Sequence, residues 1–339
     1  LMELKEFRDG EDGATEEVKE TYVLKPMNCP HHHKIFAARP RSYRDLPLRL
    51  AEYGQVYRFE DSGSLSGLLR VRGMCMNDAH IYCTEEQIKS EFLKVMDMHR
   101  EVYAILGLDS YYMRFSTWDP EDPKGKDKYV NDPEAWERTQ RMVREAMVDS
   151  GLPFVEVKGE AAFYGPKIDM QFRTVTGREE TASTNQLDFA VPERMDLSYV
   201  GADNEEHRPY IIHRAPLGTH ERFVAFLIEH YGGAFPTWLA PIQVRIVTVS
   251  DRFNDDAQKI VDRLRGHMIR AELDPSNETM GKKIRNGVTS KIPNILVVGE
   301  QEITDGTVTL RRYGIREQET LAIADFESWI LEQIKTRAK

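Results

Sequence analysis

Three groups of side chains in this sequence of 339 residues could carry chemistry. The first combines thiol, imidazole and carboxylate: Cys29 with His31, His32 and His33, then Asp78 and His80 with Cys83, then His213. Thiolate and imidazole are donors that zinc favours, but no C-x2-C or H-E-x-x-H spacing joins them. On spacing alone, a buried thiol with hydrogen-bonded histidines explains them as well as a metal site does. The second group is Arg58, Arg70 and Arg72 on segments read as strands, with Arg222 at a helix start. Guanidinium forks grip phosphate oxygens in pairs, and strands would hold them still. Surface ion pairing is the plainer alternative. The third is Lys282, Lys283, Arg285, Arg311 and Arg312, either an RNA-facing patch or a solvated helix face beside a charged strand. A P-loop, a G-x-G-x-x-G after a strand and a G-x-S-x-G are all missing, which weighs against P-loop enzymes, Rossmann dehydrogenases and α/β-hydrolases.

The elements that must position these groups fall into two textures. Glu16–Leu24 alternates after the turn-rich Asp9–Gly13 and predicts the second arm of a hairpin. A short helix starts at Pro30. Strands are expected at Ala51–Glu60 and Gly67–Met76, joined by Asp61-Ser62-Gly63-Ser64. Thr84-Glu85-Glu86-Gln87 reads as a capping box ahead of Ile88, Phe92, Val95 and Met96 at helical spacing. Tyr111–Ser116 predicts a strand, Pro120–Asp132 a loop, and Pro133–Ser150 a helix closed by Gly151. Further strands follow at Phe154–Lys158, Ala161–Tyr164, Ile168–Thr174, Glu180–Phe189 and Tyr210–Arg214, then a helix over Glu221–Tyr231. Strands with few helices between them predict an antiparallel α+β sheet. Beyond Pro241 the order becomes strand Gln243–Val249, helix Asp255–His267, strand Ala271–Leu273, helix Met280–Lys291, strands Asn294–Val298 and Thr307–Arg312, and helix Ala324–Thr336. That order gives a small α/β domain. The expected division is 1–240 and 241–339.

Composition sets the outer limits. With 40% hydrophobic and 30% charged residues, the chain can bury a substantial core, and no apolar run reaches the roughly 18–20 residues of a membrane span. Three cysteines, an odd and low count, fit a reducing compartment and predict a cytoplasmic protein. The net charge of −10 does not predict nucleic-acid binding, but the acidity lies in the first 240 residues; from Pro241 onward 16 basic residues meet 15 acidic ones. The chain opens on Leu1 inside a charged segment, without a signal peptide, and reads as a piece of a longer protein. These residues by themselves lead to an α+β domain followed by an α/β domain, with an anion as a candidate ligand.

A resemblance adds specificity. Lys25-Pro26-Met27-Asn28-Cys29-Pro30, Ser42-Tyr43-Arg44-Asp45-Leu46-Pro47-Leu48-Arg49, Arg58-Phe59-Glu60, Leu68-Leu69-Arg70-Val71-Arg72-Gly73 and Asp78-Ala79-His80 come in order. So do Ala162-Phe163-Tyr164-Gly165-Pro166-Lys167, Gln186-Leu187-Asp188-Phe189, Ile212-His213-Arg214-Ala215, Gly218-Thr219-His220-Glu221-Arg222-Phe223 and Pro236-Thr237-Trp238-Leu239-Ala240-Pro241. Over nearly its whole length the chain resembles the threonyl-tRNA synthetases, the bacterial type above all.

The resemblance implies a class II catalytic domain built on an antiparallel sheet, then an α/β anticodon-binding domain. It implies that ATP and L-threonine give threonyl-adenylate, and that the terminal adenosine of tRNA(Thr) then attacks the carbonyl. By resemblance Cys29, His80 and His213 are zinc ligands, and the zinc selects threonine through its amine and hydroxyl. Asp78 would accept the substrate hydroxyl; Tyr164, Met27 and Lys167 would lie near the amino acid or adenylate. Arg58 would hold the α-phosphate and Arg222 the γ-phosphate. Arg70 would face the nucleotide, Glu60 the adenine amino group, Met74 the adenine ring and Gln186 the ribose. Mg²⁺ would arrive with ATP. Asn277, Glu302 and Arg311 would read the anticodon. A homodimer is implied for the full-length protein, as are a first class II motif, an N-terminal domain and an editing domain ahead of Leu1.

The sequence also departs from the family. Met74 stands where a phenylalanine is usual, Met76-Asn77 where Gln-Asp is common, His31 at a usual glycine, and Ser276 at an arginine. Glu179-Glu180-Thr181-Ala182-Ser183 replaces a segment richer in Trp, Gln and Gly. A non-catalytic tRNA- or adenylate-binding relative, or activity on serine, are the alternatives; the retained Arg58, Arg222 and ligand set favour a threonine enzyme.

Overall fold

The computed structural model describes residues 2–9, 15–122, 128–173, 177 and 179–338. The chain separates into two units, Leu1–Phe226 and Leu227–Lys339. Strands β1 (Met2–Asp9) and β2 (Thr15–Tyr22) form the expected antiparallel hairpin, whose turn lies outside the described residues. Helix α1 (Cys29–Ala37) follows, with a proline in its first turn, where no intrahelical N–H is needed.

Strands β3 (Leu48–Tyr57) and β4 (Gly73–Cys83) differ from expectation. The second strand begins at Gly73, not Gly67. Ser62–Ser64 forms a 3-10 turn, and the Ser66–Arg70 backbone closes on itself in a bridge. Arg58, Arg70 and Arg72 therefore sit on the connection between two strands. Their alternating neighbours imitated strand periodicity, but the polar, glycine-rich run at 61–67 gives the ladder nothing to bury. Gln87 accepts the Thr84 backbone N–H at 3.0 Å, as its capping-box position requires, and a 3-10 turn at Glu85–Gln87 precedes α2 (Ile88–Ile105). Ile88, Phe92, Val95 and Met96 are all buried, the apolar stripe read from their spacing.

Strand β5 (Tyr111–Thr117), helix α3 (Pro133–Ser150) and β6 (Phe154–Lys158) form a crossover, so β5 and β6 pair in parallel. This is an exception to the expected antiparallel sheet, and the intervening helix is its cause. Asp132 caps α3 by accepting from Ala135 N at 3.0 Å, and Gly151 closes it at φ 66°. The expected loop after Pro120 lies partly outside the described residues. Ala161–Tyr164 is a turn, not a strand. Strands β7 (Lys167–Arg173) and β8 (Glu179–Asp188), a short helix α4 (Val191–Arg194), the two-residue β9 (Tyr199–Val200) and β10 (Glu206–His207), and β11 (Tyr210–Ala215) lead to helix α5 (His220–His230). The large sheet runs β3-β4-β11-β8-β7-β5-β6.

The second unit contains β12 (Val244–Thr248), α6 (Asn254–Gly266), β13 (Ala271–Asp274), α7 (Met280–Thr289), β14 (Asn294–Val298), α8 (Glu300–Asp305), β15 (Thr307–Arg312), β16 (Gln318–Ala322) and α9 (Ile323–Lys335). Its sheet order is β13-β12-β14-β15-β16, parallel across the first three strands and antiparallel after them. Helix α8 and strand β16 escaped the sequence reading, since one is six residues long and the other has no buried alternation. Val244, Ile246, Leu296 and Val298 meet Val261, Leu264, Phe326 and Ile330 in its core.

Candidate functional site

The sheet register assembles the site. His80 on β4 lies directly opposite His213 on β11, His213 opposite Gln186 on β8, and Gln186 opposite Lys167 on β7. Residues directly opposed across strands share a face. Asp78, two residues before His80, lies on that face too. Helix α1 supplies Cys29, whose Sγ is 3.7 Å from His213 Nδ1 although the two are 184 positions apart. Candidate ligand atoms of Cys29, His80 and His213 all lie within 4.8 Å of one another. His80 Nε2 is buried without a hydrogen-bond partner among the described residues. An orphaned imidazole nitrogen beside a thiol and a second imidazole suits a zinc ion held by three protein ligands. The residues present fit that ion.

The surroundings are polar and tightly placed. Asp188 is fully buried; its Oδ1 accepts from the backbone of Ala190 and Val191 at 2.9 and 2.8 Å, and its Oδ2 meets His213 Nε2 at 2.9 Å. Burial disfavours charge on His213, but the hydrogen bonds to Asp188 and Cys29 outweigh it and raise its pKa to about 10. His80 is driven well below the ordinary histidine range by burial, then by the neighbouring His213, His32 and His33. Asp78 accepts from Asn28 Nδ2 at 3.2 Å; burial pushes its carboxyl up against the pull of His213 and Asn28. Asn28 is pressed onto Gly54, where a Cβ would come 2.2 Å from its Oδ1. Tyr164 stacks on His213, with centroids 5.0 Å apart, and its hydroxyl bonds Gln186. A Cβ on Gly165 would lie 1.9 Å from the Leu187 carbonyl oxygen, so only glycine lets the Tyr164 turn approach β8 this closely. Lys167 pairs with Asp169 at 2.7 Å.

Farther along β4 and β8, a cleft adjoins this cluster. Arg58, Glu60, Arg70, Met74 and Arg222 line it together with Thr181 and Thr219. Arg58 donates to the Pro26 carbonyl at 3.4 Å and Arg222 to the Leu69 carbonyl at 2.9 Å. Glu60 and Arg70 are 3.8 Å apart. Three guanidinium groups converging on one cleft can bind a polyphosphate. Met27 is exposed on the segment leading to Cys29.

In the second unit the candidates come from three segments, and Glu302 bonds Thr309 on the strand that carries Arg311. Asn277 is exposed after β13, and Arg311 is half-buried on β15. Glu302 is occupied: its carboxylate accepts from Gly299 N at 2.9 Å and from the Thr309 hydroxyl at 3.0 Å. Lys283 does not belong to a surface patch. It is 2% exposed and donates to the Thr248 hydroxyl and the Asp274 carbonyl, at 3.3 and 3.2 Å. Helical phase decides this, because Lys283 lies on the inward face of α7. Asp188, Asn28, Gly54 and Glu52 were missed as contributors, whereas His32 belonged to the histidine set singled out by residue type. Asp188 and Asn28 lie inside motifs already singled out; Gly54 and Glu52 carry no signal before strand pairing is known.

Comparison with known proteins agrees with this architecture. Residues 11–231 match the family described as tRNA synthetase class II core domain (G, H, P, S and T), and residues 243–333 match the anticodon binding domain. A threonine–tRNA ligase of Geobacillus sp. (strain WCH70) is 49% identical over 97% of this chain and 51% of its own length. One from Staphylococcus carnosus is 50% identical over 94% and 49% respectively. The chain thus spans about half the length of these curated relatives. A crystal structure described as the RNA binding domain of threonyl-tRNA synthetase from Cryptosporidium parvum aligns with a TM-score of 0.83 at 35% identity, over 97% of this chain and 79% of that one. The chain belongs to the class II tRNA synthetases, with the core domain of that family followed by an anticodon-binding domain, and the relatives it matches at about half identity are threonine–tRNA ligases.

Proposed function

We propose that this chain is the catalytic and anticodon-binding part of a threonine–tRNA ligase, with residues 1–240 activating L-threonine as threonyl-adenylate and residues 241–339 binding tRNA(Thr). The observation that carries this reading is the meeting of Cys29, His80 and His213 beside Asp78, next to a cleft lined by Arg58, Arg70 and Arg222. Cys29, His80 and His213 would hold zinc, which when bound supplies a Lewis acid able to take the amine and hydroxyl of threonine. Asp78 accepts a hydrogen bond from the threonine hydroxyl. Tyr164 and Met27 wall the amino-acid site. Valine lacks the hydroxyl and leaves Asp78 with its Asn28 hydrogen bond alone, a basis for rejection; serine keeps both groups.

Arg58 steadies the α-phosphate while the threonine carboxylate attacks it and pyrophosphate leaves. Arg222 holds the γ-phosphate, Arg70 and Lys167 add positive charge near the reacting groups, Glu60 and Met74 receive adenine, and Gln186 the ribose. Mg²⁺ enters with ATP. Catalysis is then positioning and electrostatic stabilisation. Asn277, Glu302 and Arg311 face the anticodon. We infer a homodimer for the full-length protein and a cytoplasmic setting, in which no disulfide joins Cys29, Cys75 and Cys83. Among the described residues no helix is long and apolar enough to cross a membrane.

ATP–pyrophosphate exchange with threonine, serine and valine, read beside zinc content, tests this. Threonine-dependent exchange with stoichiometric zinc and no response to valine is expected. Full-length protein with neither zinc nor exchange overturns the reading; tRNA binding without exchange would instead favour a non-catalytic relative.

A further inference from the structure

We propose that Glu52 and His32 are positioning residues that fix the tautomer of His80, so that its Nε2 stays bare for a metal ion. This rests on the metal-centred reading given above. His32 lies three residues after Cys29 on α1, one turn along the same helix face, so one helix delivers both the thiol and this second imidazole. Its Nδ1 is 2.7 Å from His80 Nδ1, and its Nε2 is 3.2 Å from Glu52 Oε1. Glu52 stands opposite Asp78 in the β3–β4 register, on the face that carries His80.

The proton placement follows from donors and acceptors. Two ring nitrogens 2.7 Å apart have room for one proton between them. A carboxylate only accepts, so His32 Nε2 must be the protonated nitrogen that donates to Glu52. Neutral His32 then has a bare Nδ1, which accepts from His80 Nδ1–H. Neutral His80 is left with a bare Nε2, the buried nitrogen that has no partner among the described residues. The opposite tautomer of His32 would set a lone pair against the Glu52 carboxylate and put the His80 proton on Nε2, where a metal could not bind. His213 is set more directly: Asp188 accepts Nε2–H, leaving Nδ1 toward Cys29 Sγ. Each ligand imidazole therefore has its own carboxylate, one in contact and one acting through a second histidine. Partners of this kind tune ligand basicity and orientation.

The test is zinc affinity of the full chain, measured by competition with a chromophoric chelator, together with the KM values for threonine and ATP in exchange. His32→Leu is expected to weaken zinc binding by about 10- to 100-fold and raise the KM for threonine with the KM for ATP unmoved. His32→Asn offers an amide oxygen near the Nδ1 position and is expected to recover most of the loss. Glu52→Ala, which frees His32 to take either tautomer, is expected to fall between wild type and His32→Leu. The cobalt-substituted protein should show altered visible bands in His32→Leu and near-normal ones in His32→Asn. Unchanged affinity in both His32→Leu and Glu52→Ala overturns the proposal, as does an equal loss in His32→Leu and His32→Asn, which would mean packing alone. Cys29→Ser separates the underlying reading: if wild type binds zinc no more tightly than Cys29→Ser, the metal-centred reading itself fails.

Discussion

His80 and His213 face each other directly across β4 and β11, their ring centroids 4.6 Å apart and their planes at 80°. The two strands are distant in sequence, yet the register leaves no freedom in which residues meet. His80→Ala is expected to abolish stoichiometric zinc and threonine-dependent exchange while leaving ATP binding intact, because the arginine-lined cleft does not include His80. Dialysis against a chelator should reproduce the loss in wild type, and added zinc should reverse it only there. Exchange that survives both treatments would remove the ion from amino-acid recognition.

Gly54 makes room for Asn28, and Asn28 holds Asp78. A Cβ at residue 54 would sit 2.2 Å from Asn28 Oδ1, so Gly54→Ala must displace that amide or the strand. The expected cost is about 1–3 kcal/mol of stability, with a higher KM for threonine and little change for ATP. Gly63→Ala is the matched control, since its Cβ would meet nothing within 4 Å. Denaturant midpoints and exchange kinetics read both effects; equal behaviour of the two variants would mean that Asn28 does not hold Asp78.

Much of this layout was legible because the elements announce themselves locally. Pro133, Gly151 and the apolar stripe of α2 mark their helices without help from tertiary contacts. The start of β4 was not legible: Leu68-Leu69-Arg70-Val71 has the composition of a strand, and its pairing back on Ser66 instead of with β3 is a tertiary fact. The site shows the same divide. Cys29, His80 and His213 stood out by type, but spacing could not unite them, and only resemblance named them together before the sheet register brought them to one place. Lys283 shows the reverse error, a cation assigned to the surface by type and placed inside by helical phase.

Burial, opposed by the Val95 carbonyl one turn back, drives the pKa of His99 on α2 down to about 3. Among the described residues neither ring nitrogen has a hydrogen-bond partner. Between the ordinary histidine value of 6.5 and about 3, the unfolded chain carries a proton on this ring that the folded chain refuses. Stability should therefore fall with decreasing pH in that window, by up to about 1.4 kcal/mol per unit from this residue, and level off below it. His99→Leu loses no hydrogen bond and should flatten the slope. Some slope should remain from His33, which burial first and then His213 hold down to about 4. Urea midpoints at pH 7, 5.5 and 4.5 decide it; identical slopes in wild type and variant would show that His99 protonates freely in the folded protein.

Arg311 and Glu302, both assigned to the anticodon, should respond differently to mutation. Among the described residues Arg311 has no ion-pair partner, whereas Glu302 caps α8 through Gly299 and receives the Thr309 hydroxyl. Arg311→Ala should shift stability by less than about 0.5 kcal/mol, as expected for a side chain that holds nothing in place. It should raise the KM for tRNA in charging by the full-length protein without touching ATP–pyrophosphate exchange. Glu302→Ala should cost about 1 kcal/mol from the lost cap and weaken tRNA binding as well, since β15 loses its anchor at Thr309. Thermal unfolding therefore separates the two residues before any tRNA is added. Full charging by Arg311→Ala would mean that this face of β15 does not meet the anticodon, whatever Glu302 does.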